Sequence, residues 1–464
     1  MSQINYHIAG GLEPEQLDNI YETALRLLEN VGVKVTNPKI LAAMSAVKGT
    51  KQDGQTLFLN AELVNDVVEN FRQINAVEGG RPQPDDFNIQ ILSGYAFKNL
   101  DFETGTFHPM DTGTCIETAK LIDCFHQYGV RGGTPGLPQD VPPQLRDITA
   151  FKIGCEYTRS ADVTAISSSV AGDYIYRMAK LTGAPFHFDV FVLSPLRIES
   201  ETLDLIFDFV EKDYDFTIGI NAMPMLGVST PLFLPAAFVE NMASILATLT
   251  ILKSMNIDRE IYIQFTVYPF DLKYGTIAYG TPEHILCYLM GAQINRYYGN
   301  KEITCKAFHT NSLFPDAHSI AQRASFASIA ALNGARHFTY GGLLGIDTVF
   351  SAEQLLIDVE IISHLRFLSK GVEFSGETLG YDILKDVGHT EDFLTHYSTL
   401  MNCKNAYCSE IFNNNPRSSS GPELKERVKQ RLRSISSRYD FSPDSHVKKE
   451  LNALYDAAKK QLGG

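Results

Sequence analysis

The 464-residue chain is 44% hydrophobic and 20% charged, the balance of an ordinary globular protein rather than a disordered or fibrous one. Its 40 basic and 54 acidic side chains leave a formal charge of −14. That sign opposes a nucleic-acid phosphate backbone and is compatible with a cationic ligand.

The opening residues, 1–7, show no basic stretch followed by an apolar core, so no secretion signal is expected. No run approaches the roughly 18 apolar residues of a membrane span. The chain reads as cytoplasmic. Apolar positions recur at Leu17, Ile20, Tyr21, Ala24, Leu25, Leu27 and Leu28, which predicts a helix over 14–32 closed by Gly32. Further helices are predicted over 37–47, from Asn37-Pro38, and over 61–73, through Val64, Val67, Val68 and Phe71. Residues 1–78 therefore read as a helical N-terminal cap. Residues 79–111, opening on the turn-rich "GGRPQPDDFN", read as a linker and hairpin leading into the next domain.

From 112 to 415 short apolar runs alternate with helices. A first strand is expected at 129–131. Then come 163–166 with a helix at 172–182, 186–193 with 199–212, and 216–222 with 235–255. Next are 261–267 with 282–297, 303–308 with 316–333, and 337–340 with 351–369. An eighth strand can come from 89–100 or from the segment after 371. This alternation means βαβ units on a parallel sheet, and the count favours a (β/α)8 TIM-type barrel. No Gly-x-Gly-x-x-Gly follows a first strand, which weakens the dinucleotide-fold alternative. Residues 416–464 carry two charged amphipathic helices behind the linker Ser418-Ser419-Ser420-Gly421, a C-terminal helical extension of the barrel.

In such a barrel the chemistry sits at the C-terminal ends of the strands. Those ends carry Met223-Pro224-Met225, Tyr268-Pro269-Phe270-Asp271, His309-Thr310-Asn311-Ser312 and Tyr340-Gly341-Gly342, with Tyr95-Ala96-Phe97 ahead of them. They are rich in aromatics and poor in paired acids and bases. No Ser/His/Asp order, His-Glu-x-x-His or phosphate loop appears. Aromatic walls with one acid suit an organic cation, held by cation–π contacts of roughly 0.5–2 kcal/mol each. Each of these aromatics also reads as barrel-top core, and His309 as a hydrogen-bonded structural histidine. Seven cysteines without a Cys-x-x-Cys pair argue against a disulfide framework or a structural zinc site. Cys305, His309 and Asp271 can be imagined as a metal set, but their spacing is not that of a metal motif.

Several blocks go further. "YETALRLLENVGVKV", "INAMPMLGVSTPLFLPAA", "YPFDLKYGTIAYGTPE" and "NSLFPDAHSIAQRASFASIAALNGARHFTYGGLLG" resemble, in the same order, blocks of the trimethylamine:corrinoid methyltransferase superfamily. So does the tail after "SSSGPELKERV", and the resemblance spans nearly the whole chain. It implies a β/α-barrel enzyme that demethylates a methylated amine. The methyl group passes to Co(I) of a corrinoid on a separate carrier protein, with no cofactor tightly bound by the barrel itself. The founding members keep pyrrolysine near what are here residues 306–312. The stretch "KAFHTNS" holds only standard residues, so the chain resembles the non-pyrrolysine branch, which acts on quaternary amines such as glycine betaine, proline betaine and carnitine. A quaternary ammonium already carries its charge and leaves as a neutral amine. The protein then need only orient one N–methyl bond.

From strand-end position, Tyr95, Phe97, Tyr340 and Phe350 are expected to wall the cationic head, with Tyr268 and Phe270 beside them. His309, Thr310 and Asn311 are expected to hold a carboxylate. Asp271 either balances the ammonium or organises its loop. The expected partners are the quaternary amine and the corrinoid carrier, with no nucleic acid or membrane, and a homo-oligomer is compatible with the size. Two other classes stay open: a zinc-dependent corrinoid methyltransferase for a thiol or alcohol, and a non-catalytic betaine-binding protein.

Overall fold

Alternation along short parallel strands sorts the side chains of this chain into two sets. The computed structural model describes residues 2–3, 11–74, 87–162, 166–298, 304–389, 392–412 and 423–463. Parallel strands come from Asn88–Gln90, Val130–Arg131, His187–Val192, Thr217–Ala222, Ile261–Ile263, Thr304–Cys305 and His337–Thr339. Three of them pair side by side, with Asp189 opposite Gly219 and Gly219 opposite Tyr262. Another four pair in the order Thr304–Cys305, His337–Thr339, Asn88–Gln90, Val130–Arg131. His337–Thr339, the last barrel strand in the chain, lies parallel to the first, Phe338 opposite Ile89, so the order returns to its start. Pairing of the last strand with the first is the mark of a (β/α)8-type barrel; among the described residues its strands fall into a three-stranded and a four-stranded sheet. The first strand is 88–90, inside the stretch expected as linker and hairpin, and it precedes the 129–131 strand expected to come first. The expected run at 163–166 falls largely on residues 163–165, outside the described residues, as do 79–86, 303 and the linker at 418–421.

Outward-facing residues are apolar and covered. Phe188, Val190, Val192, Ile218, Ile220, Ile261 and Ile263 are buried in one cluster, and Ile89, Val130, Cys305 and Phe338 in a second. Inward-facing residues are Gln90, Arg131, His187, Asp189, Phe191, Gly219, Asn221, Tyr262, Gln264, Thr304 and Lys306, by the two-residue period of a strand. None of these is fully buried. Small barrels of this kind usually fill their interior with branched apolar side chains. This lumen is polar and open instead.

Helix Leu234–Ser254 shows why the outer layer is stable. It is apolar on every side and buried along most of its length. Length and composition alone would let it cross a membrane, yet it packs inside the protein, between the barrel strands and helices Pro14–Asn30 and Ala61–Ile74. The N-terminal region departs from the all-helical expectation. Val33–Val35, Thr50–Asp53 and Thr56–Leu59 form antiparallel strands, and Arg197–Ile198 joins them in parallel. The alternating burial of Leu57 and Leu59 is the strand signal there. Two further helices, Thr112–Cys124 and Arg146–Tyr157, were not among the predicted elements. At the other end, Leu424–Ser436 packs on Ala352–Ser369, and Ser445–Leu462 on Ser169–Thr182.

One buried ion pair fixes the loop above the strand His337–Thr339. Arg323 and Asp358 are both fully buried, and Nη1 meets Oδ2 at 2.6 Å. The same carboxylate accepts from Gly342 N at 2.8 Å and from Gln354 Nε2 at 2.9 Å, while Arg323 also donates to the Leu343 carbonyl. Removing one partner strands a buried charge. Asp358→Ala is expected to lose about 3–5 kcal/mol of stability, read as a lowered urea midpoint. The double change Arg323→Met, Asp358→Leu is expected to lose less than Asp358→Ala alone.

Candidate active site

The stretch 306–312 leaves the barrel at the strand Thr304–Cys305, and each of its side chains has a definite place. Lys306 follows Thr304 on the inward face. Its Nζ donates to the Tyr268 hydroxyl at 2.5 Å and lies 5.2 Å from the centre of that ring. Burial works against its charge, but Tyr268, Tyr95 and Asp189 outweigh it, and the amine is held above its ordinary pKa. Cys305 faces outward, fully buried, and burial pushes its thiol up beyond any useful reactivity.

His309 is buried between two tyrosines, with ring centres 3.9 Å from Tyr279 and 3.8 Å from Tyr340. Its Nδ1 meets the Asp347 carboxylate at 2.9 Å. Burial lowers its pKa despite that acid, so the ring is neutral at pH 7. The proton then sits on Nδ1, and Nε2 is an acceptor, buried and without a partner among the described residues. An acceptor cannot hold a carboxylate.

Thr310 and Asn311 are also committed elsewhere. Thr310 Oγ1 donates to Gln322 at 2.7 Å. Asn311 accepts from Tyr279 N and donates to the Ile277 carbonyl, both at 2.8 Å, pinning the hairpin that carries Tyr279. The expected carboxylate-holding trio is therefore a loop-locking trio.

The loop 340–348 is stitched to the same stretch through Gly345 N to Ser312 O at 2.7 Å and Ile346 N to Thr310 O at 3.0 Å. Tyr340, Ile346 and Asp347 all have positive φ, 70°, 54° and 64°. Such backbone costs of order 1–3 kcal/mol per residue in side-chain-bearing positions, and it gathers at functional sites. Here it brings Asp347 under His309 and turns the Tyr340 ring toward Tyr95. Those two rings meet edge to face at 5.3 Å.

Of the expected aromatic wall, the structure brings Tyr95, Tyr268 and Tyr340 together around Lys306. Phe97 lies at the mouth, 57% exposed. Phe270 and Asp271 stand apart in a hairpin with Thr276–Ile277. Asp271 accepts from the backbone of Lys273 and Tyr274 at 2.8 and 3.0 Å, so it organises its own turn. Phe350 is fully buried in the outer apolar cluster and offers no face to a ligand. The set Cys305, His309 and Asp271 is not assembled, because the first faces outward, the second holds Asp347 and the third caps a turn.

Sequence reasoning missed the lumen acids. Asp189 is exposed into the lumen and accepts from Asn221 Nδ2 at 3.0 Å. A Cβ on Gly219 would lie 2.0 Å from Asp189 Oδ1, so the glycine leaves the space this carboxylate occupies. Burial raises the Asp189 pKa, against the pull of His187 and Lys306. Beside it, Asp162 accepts from Gln90 at 2.6 Å and faces His187 at 3.8 Å. The signal was present: an acid at an alternate position of the apolar run 186–193, with a glycine in the next strand. A cavity of about 30 Å³ lies between Lys306, Gln264 and helix Pro282–Tyr297. It has room for a water or two and not for an organic cation.

Comparison with known families settles the relationship. The family model for trimethylamine methyltransferase (MTTB) matches residues 4–463. The chain belongs to that family. It is 21% identical to the glycine betaine methyltransferase of Desulfitobacterium hafniense over 97% of this chain and 98% of that one. A trimethylamine methyltransferase of the same species is 21% identical over 98% of this chain and 95% of its own. The Methanosarcina barkeri trimethylamine methyltransferase is 23% identical over 58% of this chain and 55% of its own. The monomethylamine methyltransferase of M. barkeri superposes with a TM-score of 0.46 at 11% identity, covering 96% of this chain and 97% of that one. At that level the strand order above, not the superposition, defines the fold.

The buried histidines set a pH dependence. His284 stays neutral well below its ordinary pKa, through burial and then the nearby His309 and Lys306, and His309 is lowered too. In the unfolded chain both titrate near about 6.5. The unfolded state therefore takes up protons first, and the stability these groups give is full above that pH and lost as pH falls below it. The loss is at most about 1.4 kcal/mol per pH unit for each histidine. Urea midpoints followed from pH 8 to pH 5.5 are expected to fall more steeply for the unmodified protein than for His284→Gln.

Proposed function

We propose that this methyltransferase-family chain demethylates a quaternary amine of the betaine class and delivers the methyl group to Co(I) of a corrinoid carried by a separate protein. The lumen carries the reading. Among the described residues it offers three phenols and opposite charges. Family membership and full-length similarity to a glycine betaine methyltransferase support it.

The chemistry asks little of the protein beyond position. The N–CH3 bond breaks with its electron pair going to nitrogen, while the cobalt electron pair forms the new bond to carbon. Nitrogen changes from cation to neutral amine and needs no proton. Burial holds the Tyr95 and Tyr340 phenols above their ordinary pKa. Their rings can face a trimethylammonium group, and the attraction fades once the charge is lost, which favours departure of the product.

Access for a protein-borne acceptor is through the mouth. Its rim exposes Phe97, Phe107, Leu313 and Phe314, with the Phe107 and Phe314 rings 5.4 Å apart. An apolar rim of this kind is what a separate protein covers on docking. The corrinoid is thus a co-substrate, and the barrel residues serve to bind, orient and keep water from the amine.

Purified protein, free Co(I) cobalamin and a panel of glycine betaine, proline betaine, carnitine and choline are expected to yield methylcobalamin, seen by its absorbance. No methylcobalamin with any member overturns the proposal. Tyr95→Ala, at the accessible edge of the phenol group, is expected to raise KM by about 2- to 30-fold, the span of one cation–π contact, with kcat changed less.

A further inference from the structure

Two opposite charges face the same lumen without meeting. Asp189 stands on His187–Val192, in the three-stranded sheet, and Lys306 directly follows Thr304–Cys305, in the four-stranded one. Each feels the other's charge. Neither forms a salt bridge among the described residues. Lys306 has the Tyr268 hydroxyl, and Asp189 has the Asn221 amide. A charged group that lines a cavity without a salt-bridge partner is available to an opposite charge on a ligand. Here two such charges are kept apart by construction. Gly219 lets the Asp189 carboxylate lie flat on the wall, which keeps the centre clear. Tyr268 holds the Lys306 amine from the other side.

We infer that the lumen is a receptor for a zwitterion, in which Lys306 takes the substrate carboxylate and Asp189 faces its quaternary ammonium. This rests on the betaine reading above and narrows it. A plain cation such as choline meets Asp189 favourably but is repelled by Lys306. A plain anion meets the reverse. Only a molecule with both charges satisfies both walls, and it does so in one orientation. His309, Thr310 and Asn311 cannot perform the anion-binding role, because one presents an acceptor and the others are spent on their loops. Asp162 sits beside Asp189 but is already held by Gln90 and His187.

Calorimetry on the intact protein with glycine betaine, choline and tetramethylammonium tests the inference. The unmodified protein is expected to bind glycine betaine about tenfold or more tightly than choline. Lys306→Met is expected to weaken glycine betaine by about tenfold or more while choline is unchanged or tightened, so that the preference collapses. Asp189→Asn is expected to weaken both. Equal affinity of the unmodified protein for choline and glycine betaine overturns the inference. So does a folded Lys306→Met protein that keeps glycine betaine within about twofold. If either variant fails to fold by circular dichroism, the panel on the unmodified protein still decides. A protein that selects glycine betaine over choline but makes no methylcobalamin keeps this inference and rejects the proposed reaction. One that demethylates both equally keeps the reaction and rejects this inference.

Discussion

A barrel turns one face of every strand outward and the other inward, and in this chain the outward face takes nearly all of the apolar residues. Phe188, Val190, Ile218, Ile220 and Ile261 go under the helices, and Asp189, Asn221, Gln264 and Lys306 go to the lumen. Stability and function are separated by that division. The hydrophobic effect acts on the outer layer, where helix Leu234–Ser254 is covered on all sides. The inner layer is free to hold polar groups that would be intolerable in a filled barrel.

The strand-end loops complete the arrangement from above. The 306–312 stretch and the 340–348 loop are tied by backbone hydrogen bonds and by the His309–Asp347 contact. The strained backbone at Ile346 and Asp347 is held by these ties, and beneath them Arg323 and Asp358 anchor Gly342 and Leu343. The result is a rigid group of phenols around one lysine. Rigidity matters because a methyl transfer between two bound partners depends on alignment more than on acid–base chemistry.

Much of the fold was legible in the sequence because the strand–helix rhythm is strong. The helix beginning after Asp316 is a case in point. Asp316 accepts from Ser319 N at 2.9 Å and Ser319 returns the bond, a capping box written in four residues. What was not legible follows from physics at longer range. The first barrel strand, Asn88–Gln90, is three residues long; the sequence offered 89–100 as one of two sources of an eighth strand, and pairing with Phe338 and Val130 decides between them. Phe350 was expected as a pocket wall from strand-end position, but burial depends on a cluster that no local pattern displays. His309, Thr310 and Asn311 have the right chemistry for anion binding, and their neighbours use it up. Asp189 was hidden inside an apolar run, where the alternation that aims it inward looks like any buried strand.

The central claim is an orientation of charge in the lumen, and a crystal structure of the protein with glycine betaine bound tests it most directly. The account predicts the carboxylate against Lys306, with the trimethylammonium group between Asp189 and the faces of Tyr95 and Tyr340, one methyl directed to the open mouth. A betaine bound outside the lumen, or lying with its carboxylate turned away from Lys306, would contradict it.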